Sequence, residues 1–161
     1  MAMEHLTADL TMAQETLAEC LTEPVKDLLL LHWTEIAPHA DIPLDPNFAG
    51  YEALEASGVL RCYILRDQGI VQGYAVFMVV YALKYQTSKE AYCDLLFVMP
   101  RLRGGLIGAR FLQFCDEQLA KEGVVVVRHC VERTYDYSKT LLRVGYEPEQ
   151  SIYCKRLDRE A

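Results

Sequence analysis

At 161 residues, 52% apolar and 24% charged, the chain is sized and composed for one soluble domain around a single hydrophobic core. No stretch reaches the roughly 18–20 uninterrupted apolar residues of a membrane-spanning helix; the longest candidate, Ile70–Leu83, is short and broken by Gln72 and Gly73. A formal charge of −7 argues against nonspecific binding to nucleic acid, which needs clustered Lys and Arg, and suits a cationic small substrate or a basic peptide.

Met1–Ala8 lacks a basic start followed by an apolar run, so no signal peptide is expected and the protein is expected to be cytoplasmic. The six cysteines are scattered without a C-x-x-C pair and mostly sit among apolar neighbours. They read as small core hydrophobes, and neither a metal site nor a disulfide framework is expected.

In chain order, Thr11–Cys20 reads as a short helix, and a second helix begins at Thr22-Glu23-Pro24, with Thr22 as cap and Pro24 in the first turn. Val25, Leu28, Leu29, His32 and Ile36 form its apolar stripe, and Pro38 ends it. His39–Asn47 is a loop, and Tyr51–Ser57 a short helix closed by Gly58. The period then changes. Leu60–Arg66 is a strand, Asp67-Gln68-Gly69 a tight turn and Ile70–Leu83 the partner strand, with Gly73 marking a bulge. Lys84–Glu90 is polar and reads as a loop; Ala91–Val98 is a strand stopped by Pro100. The glycine-rich Arg103–Gly108 opens a helix whose Ile107, Phe111, Phe114, Cys115 and Leu119 share one face and which Gly123 ends. Val124–Val131 is a β-branched run expected as a buried central strand. Asp136 caps a helix over Tyr137–Val144, and Tyr146–Leu157 supplies one or two closing strands. This order predicts a single α+β domain over residues 1–161 with a mixed sheet and a parallel crossover in its middle.

A strand, a glycine-rich turn and a helix together make an anion site. The first N–H groups of a helix lack internal partners, the helix dipole favours negative charge, and glycines let a diphosphate approach. Neither the P-loop nor the dinucleotide-binding glycine pattern fits Pro100-Arg101-Leu102-Arg103-Gly104-Gly105-Leu106-Ile107-Gly108.

This segment resembles the Arg/Gln-x-x-Gly-x-Gly/Ala loop of the GNAT N-acetyltransferases, with Pro100 ahead of the loop's arginine, and it can be read in two registers. From Arg103 the arginine and the final Gly108 match, while Leu106 stands where a glycine is usual; from Arg101 the match keeps Gly104 but puts Leu106 at the last small position. The Arg103 register is preferred because it places Ile107 and Phe111 inward. The Val-rich strand after Gly123 and the helix ending Leu141-Leu142-Arg143-Val144-Gly145-Tyr146 are also similar to the family's closing unit. His32-Trp33-Thr34-Glu35-Ile36-Ala37 resembles a phage and prophage subgroup. The resemblance implies a GNAT fold with acetyl-CoA as co-substrate. Phe97, Val98 and Met99 would offer backbone groups to its pantetheine amides, and Arg103, Gly104, Gly105, Leu106, Ile107 and Gly108 would hold its pyrophosphate through N–H groups.

Direct transfer to a primary amine in a ternary complex needs a base for the amine and an acid for the departing thiolate. The tyrosine that the family uses as acid, four residues before the Gly-aromatic pair, is Leu141 here, and Tyr137 is the nearest replacement. Asp94 and Glu35 compete as base. Strand alternation puts Asp94 on the face of Val98, and Glu35 lies on the helix expected to wall the acceptor site. His32 and His129 read as structural. The expected partners are acetyl-CoA and an amine-bearing small molecule, peptide or protein, not nucleic acid or membrane; a homodimer stays open. Two rival readings are a non-catalytic acyl-CoA-binding module of the same fold and an unrelated α+β protein with a structural glycine turn.

Overall fold

The computed structural model describes residues 9–37, 39 and 41–158. The reading of Met1–Ala8 and the helix stop at Pro38 lie outside them. Two strands buried on both faces organise the fold: Leu60, Cys62 and Ile64 of β2 (Leu60–Asp67) point one way and Tyr63 and Leu65 the other, all buried. Gln68 and Gly69, with φ of 51° and 79°, form the two-residue turn to antiparallel β3 (Ile70–Ala82). β3 pairs antiparallel with β4 (Tyr85–Val98), and β1 (Leu10–Glu15) pairs antiparallel with β2. β5 (Val124–His129) runs parallel to β4, which gives a five-stranded mixed sheet in the order β1-β2-β3-β4-β5.

Helices cover both faces. α1 (Leu17–Cys20), α2 (Glu23–Ile36) and α3 (Phe48–Ala56) pack on the face of Cys62, Ile64, Val76 and Phe97. On the other face, Phe111, Leu112, Cys115 and Leu119 of α4 (Ile107–Lys121) and Leu141 of α5 (Ser138–Arg143) meet Tyr63, Phe77, Leu96 and Val98. Among the described residues no helix is long and apolar enough to cross a membrane.

Four expectations are corrected. Leu10–Glu15 is a strand, not helix: Leu10 and Met12 turn toward the core while Thr11 and Ala13 are exposed, and pairing with β2 outweighs the helix preference of Met, Ala and Gln. Lys84–Glu90 is mostly strand, because its backbone continues the pairing with β3 (Ala82 with Tyr85, Tyr81 with Lys89, Val80 with Glu90) despite its polar side chains. β5 is an edge strand rather than a central one; Val125 is exposed. No strand forms over Tyr146–Leu157. Pro148 has no N–H to donate, and Ile152, Tyr153 and Leu157 remain in solvent. The bulge expected at Gly73 is present: Leu65 pairs with Gly73 and Arg66 with Val71, leaving Gln72 as the extra residue.

Candidate active site

A second bulge controls the site. Val76 pairs with Leu95 and Phe77 with Cys93, so Asp94 is the additional residue in β4. It reverses the alternation expected from spacing alone. Cys93, Leu96 and Val98 face α4, whereas Leu95 and Phe97 face α2 and α3. Asp94 therefore does not share a face with Val98. Its carboxylate lies on the α3 side, where it accepts a hydrogen bond of 2.6 Å from the Tyr51 hydroxyl.

The bulge also marks where the sheet opens. Pairing of β4 with β5 runs from Lys89–Val124 to Cys93–His129 and stops, leaving the edge from Asp94 to Val98 without a strand partner. Met99 N–H donates to the Gln72 carbonyl at 2.7 Å, and a Cβ on Gly73 would stand 2.7 Å from the Phe97 carbonyl. Phe97 and Met99 thus turn their peptide groups toward β3. By alternation Leu96 and Val98 turn theirs to the open edge. Of the three expected residues, only Val98 turns its peptide groups to the open edge, where its carbonyl already accepts from Arg103 Nε; Leu96 is the neighbour that the sequence reading missed.

Between this edge and the start of α4 lies a cleft of about 200 Å³. Leu96 and Val98 line it together with Gly104, Gly105 and Gly108 on one side and Tyr135, Tyr137 and Thr140 on the other. Gly104 has φ +81°, and a Cβ on Gly104 or Gly105 would meet nothing within 4 Å, so these positions leave open space for a ligand. The first hydrogen bond of α4 runs from Arg110 N–H to the Leu106 carbonyl, leaving the N–H groups of Leu106 through Ala109 without intrahelical acceptors. A diphosphate fits such a terminus. Leu106 and Ile107 do not line the cleft: Leu106 is exposed, and Ile107 packs inward against the core.

The Arg103 side chain borders the cleft but is committed to protein partners. Its Nε donates to the Val98 carbonyl at 2.6 Å, and its two terminal nitrogens fork onto Glu35 at 3.2 and 2.8 Å. The guanidinium stacks 4.7 Å from the Tyr135 ring and 5.3 Å from Phe97. Glu35 is thus engaged through both carboxylate oxygens. Arg103 ties α2 to the end of β4, which leaves backbone N–H groups and the positive end of the α4 dipole facing the cleft.

Tyr137 borders the same cleft, its hydroxyl 3.2 Å from His129 Nδ1. Burial, with the Cys93 thiol beside it, holds this phenol well above its ordinary range, so it carries its proton at neutral pH. Burial likewise pulls His129 down to about 4 and keeps it neutral. Across the sheet, buried His32 bonds through Nδ1 to the Tyr74 hydroxyl at 2.8 Å. Its ring stands 5.1 Å from Phe97 and 5.7 Å from Tyr135. Burial lowers its pKa to about 4, with Arg103 adding to the effect and Glu35 opposing it.

No family model and no curated protein matches the chain. Solved structures do share its architecture. A ribosomal-protein-alanine N-acetyltransferase from Brucella melitensis superposes with TM-score 0.72 over 93% of this chain and 100% of that one, at 15% identity. An aminoglycoside acetyltransferase from an uncultured soil metagenomic sample, in complex with sisomicin, gives 0.67 over 94% and 97%, at 13% identity. A predicted acetyltransferase from Clostridium acetobutylicum with acetyl-CoA gives 0.66 over 92% and 96%, at 11% identity.

The fold is that of the GNAT acetyltransferases. Within this GNAT fold the cleft brings together Val98, Arg103, Gly104, Gly105, Gly108 and Tyr137, and leaves Asp94 and Glu35 on the far side of the sheet. Leu141, where the usual tyrosine is missing, is buried in the core against α4 and is unsuited to proton transfer. Tyr51, Leu96 and Tyr135 escaped the sequence reading. Their roles arise from contacts across 43 residues, from a bulge and from a loop conformation, none of which leaves a local pattern.

Proposed function

We propose that this protein is an N-acetyltransferase that carries an acetyl group from acetyl-CoA directly to a primary amine in a ternary complex. The observation that carries the reading is the unpaired end of β4, opening beside a glycine turn at the N-terminus of a 15-residue helix. The cleft fits an acyl-CoA: the N–H groups of Gly104, Gly105 and Gly108 in its lining for the diphosphate, and the outward peptide groups of Leu96 with the N–H of Val98 for the amides of the pantetheine arm. Acetyl-CoA supplies the acyl group as a thioester.

The protein's own residues then have three tasks. Tyr137, protonated and partly withdrawn from water, is the donor available to a departing thiolate in the cleft. Asp94 is the base for the ammonium, held by the Tyr51 hydroxyl on the α3 side of the sheet, from which the acceptor amine would approach. Arg103 and Glu35 position α2 against the end of β4. Glu35 is a weaker candidate base because a proton arriving on it would break the fork with Arg103.

A second reading, an acyl-CoA-binding module without catalysis, draws on one observation: Leu141 occupies the usual acid position and is buried. Calorimetry with acetyl-CoA, followed by thiol-release assays over a panel of primary amines, separates the two. Saturable binding with amine-dependent thiol release is expected. Binding without release from any amine would favour the module, and absence of binding would overturn both.

A further inference from the structure

The face of the sheet opposite the cleft holds a larger cavity, of about 320 Å³, enclosed by α2, the loop over residues 43–47, α3 and strands β2 to β4. Its volume lies at the small end of the range of roughly 300–1,000 Å³ usual for small-molecule sites. Its walls are apolar and aromatic, with Leu29, Trp33, Phe48 and Ile64 among them. Among the described residues that line it, the only acidic or basic side chains are Asp45 and His32, and burial keeps His32 neutral.

This cavity is next to the cofactor cleft. His32 lines the cavity and Tyr135 lines the cleft, and their ring centroids are 5.7 Å apart, so at this point only the two rings stand between the spaces. Tyr51 lines the cavity too, and its hydroxyl is hydrogen-bonded to Asp94 at 2.6 Å. Apolar walls and carboxylates at the margin describe a ligand with one cationic end and one apolar body.

We infer that this cavity is the acceptor site and that the acceptor is a hydrophobic monoamine, an aryl- or alkylamine with its nitrogen toward Asp94 and its body against Trp33, Phe48 and Ile64. The inference rests on the acetyltransferase reading for its chemistry. Polyamines and aminoglycosides do not fit, because each further ammonium or hydroxyl carried into these walls loses water without gaining a partner.

Trp33 is the chain's single tryptophan and stands in the cavity wall, so its fluorescence reports occupancy without any acetyl transfer. The full chain is titrated with 2-phenylethylamine, n-hexylamine, spermidine and kanamycin, with and without CoA, and kcat/KM is measured for each by thiol release. The expected result is a saturable Trp33 response to the two hydrophobic amines alone, and kcat/KM at least tenfold higher for them. Leu44→Asp, on the half-buried loop wall, should weaken the response to 2-phenylethylamine at least tenfold while CoA affinity is kept. Thiol release that favours spermidine or kanamycin, or a Trp33 signal unmoved by the hydrophobic amines, would overturn the inference and leave the acetyltransferase reading standing where thiol is released. A Trp33 response without thiol release from any amine would keep the hydrophobic-amine site and remove the transferase reading.

Discussion

Acidification should destabilise the protein through His32 before the carboxylates titrate. The ring is 3% exposed, hydrogen-bonded to Tyr74 and enclosed by Phe97 and Tyr135, and burial depresses its pKa from 6.5 to about 4. Between these values the unfolded chain binds a proton at this site and the folded chain does not. The stabilisation is therefore complete above pH 6.5 and is lost as pH falls toward 4. Each pKa unit is worth about 1.4 kcal/mol, so His32 alone should cost about 2 kcal/mol by pH 5 and about 3 kcal/mol at the lower limit. Urea unfolding at pH 7.5, 6 and 5 measures the slope, with His32→Phe as the reference. The variant starts less stable, because the Tyr74 hydroxyl loses its partner, yet it should lose about 2 kcal/mol less than the parent over that range. Equal slopes for the two proteins would refute the burial argument, as would an imidazole titration of His32 near 6.5 by NMR.

Three further outcomes follow from the same contacts. Leu141→Ala removes a buried side chain from the α4–α5 packing and should cost about 2–5 kcal/mol by urea unfolding, while Leu141→Tyr should not raise turnover. Asp94→Asn should lower kcat/KM by about 10²–10⁴, with the deficit shrinking as pH rises, and acetyl-CoA affinity by calorimetry should stay near that of the parent. A double-mutant cycle over Arg103→Gln and Glu35→Gln should give a coupling of about 1–2 kcal/mol, since the two side chains share a half-buried fork; additivity within a few tenths would show the fork to be inert.

The parts of the fold that were legible in the sequence are those where local and tertiary preferences agree. Leu60–Arg66, its two-residue turn and the following apolar run carry β-branched and aromatic residues on both faces, and they became β2 and β3. The glycine turn before α4 announced itself because an anion site needs small residues and a helix start in immediate succession. Leu10–Glu15 failed because its residue types favour helix, and only pairing with β2 makes it a strand. The face expected for Asp94 failed for a sharper reason. Alternation is a reliable rule until one extra residue enters a strand, and a bulge has no signature in Tyr92-Cys93-Asp94-Leu95. The partner of the Arg103 side chain was not foreseen, because Glu35 lies 68 residues away and no spacing rule connects them.

The central claim is that the open end of β4 and the start of α4 hold acetyl-CoA. It is tested most directly by titrating acetyl-CoA into the parent and into Gly108→Trp in a calorimeter, with urea unfolding to establish that the variant is folded. Gly108 lines the cleft, and a Cβ there would already lie 3.8 Å from Thr140 Cγ2, so an indole must occupy the space given to the diphosphate. The parent should bind saturably, and the folded variant at least tenfold more weakly, a difference of about 1.4 kcal/mol or more. Equal affinity in the two proteins would contradict the placement of the cofactor, and no binding by the parent would contradict the account as a whole.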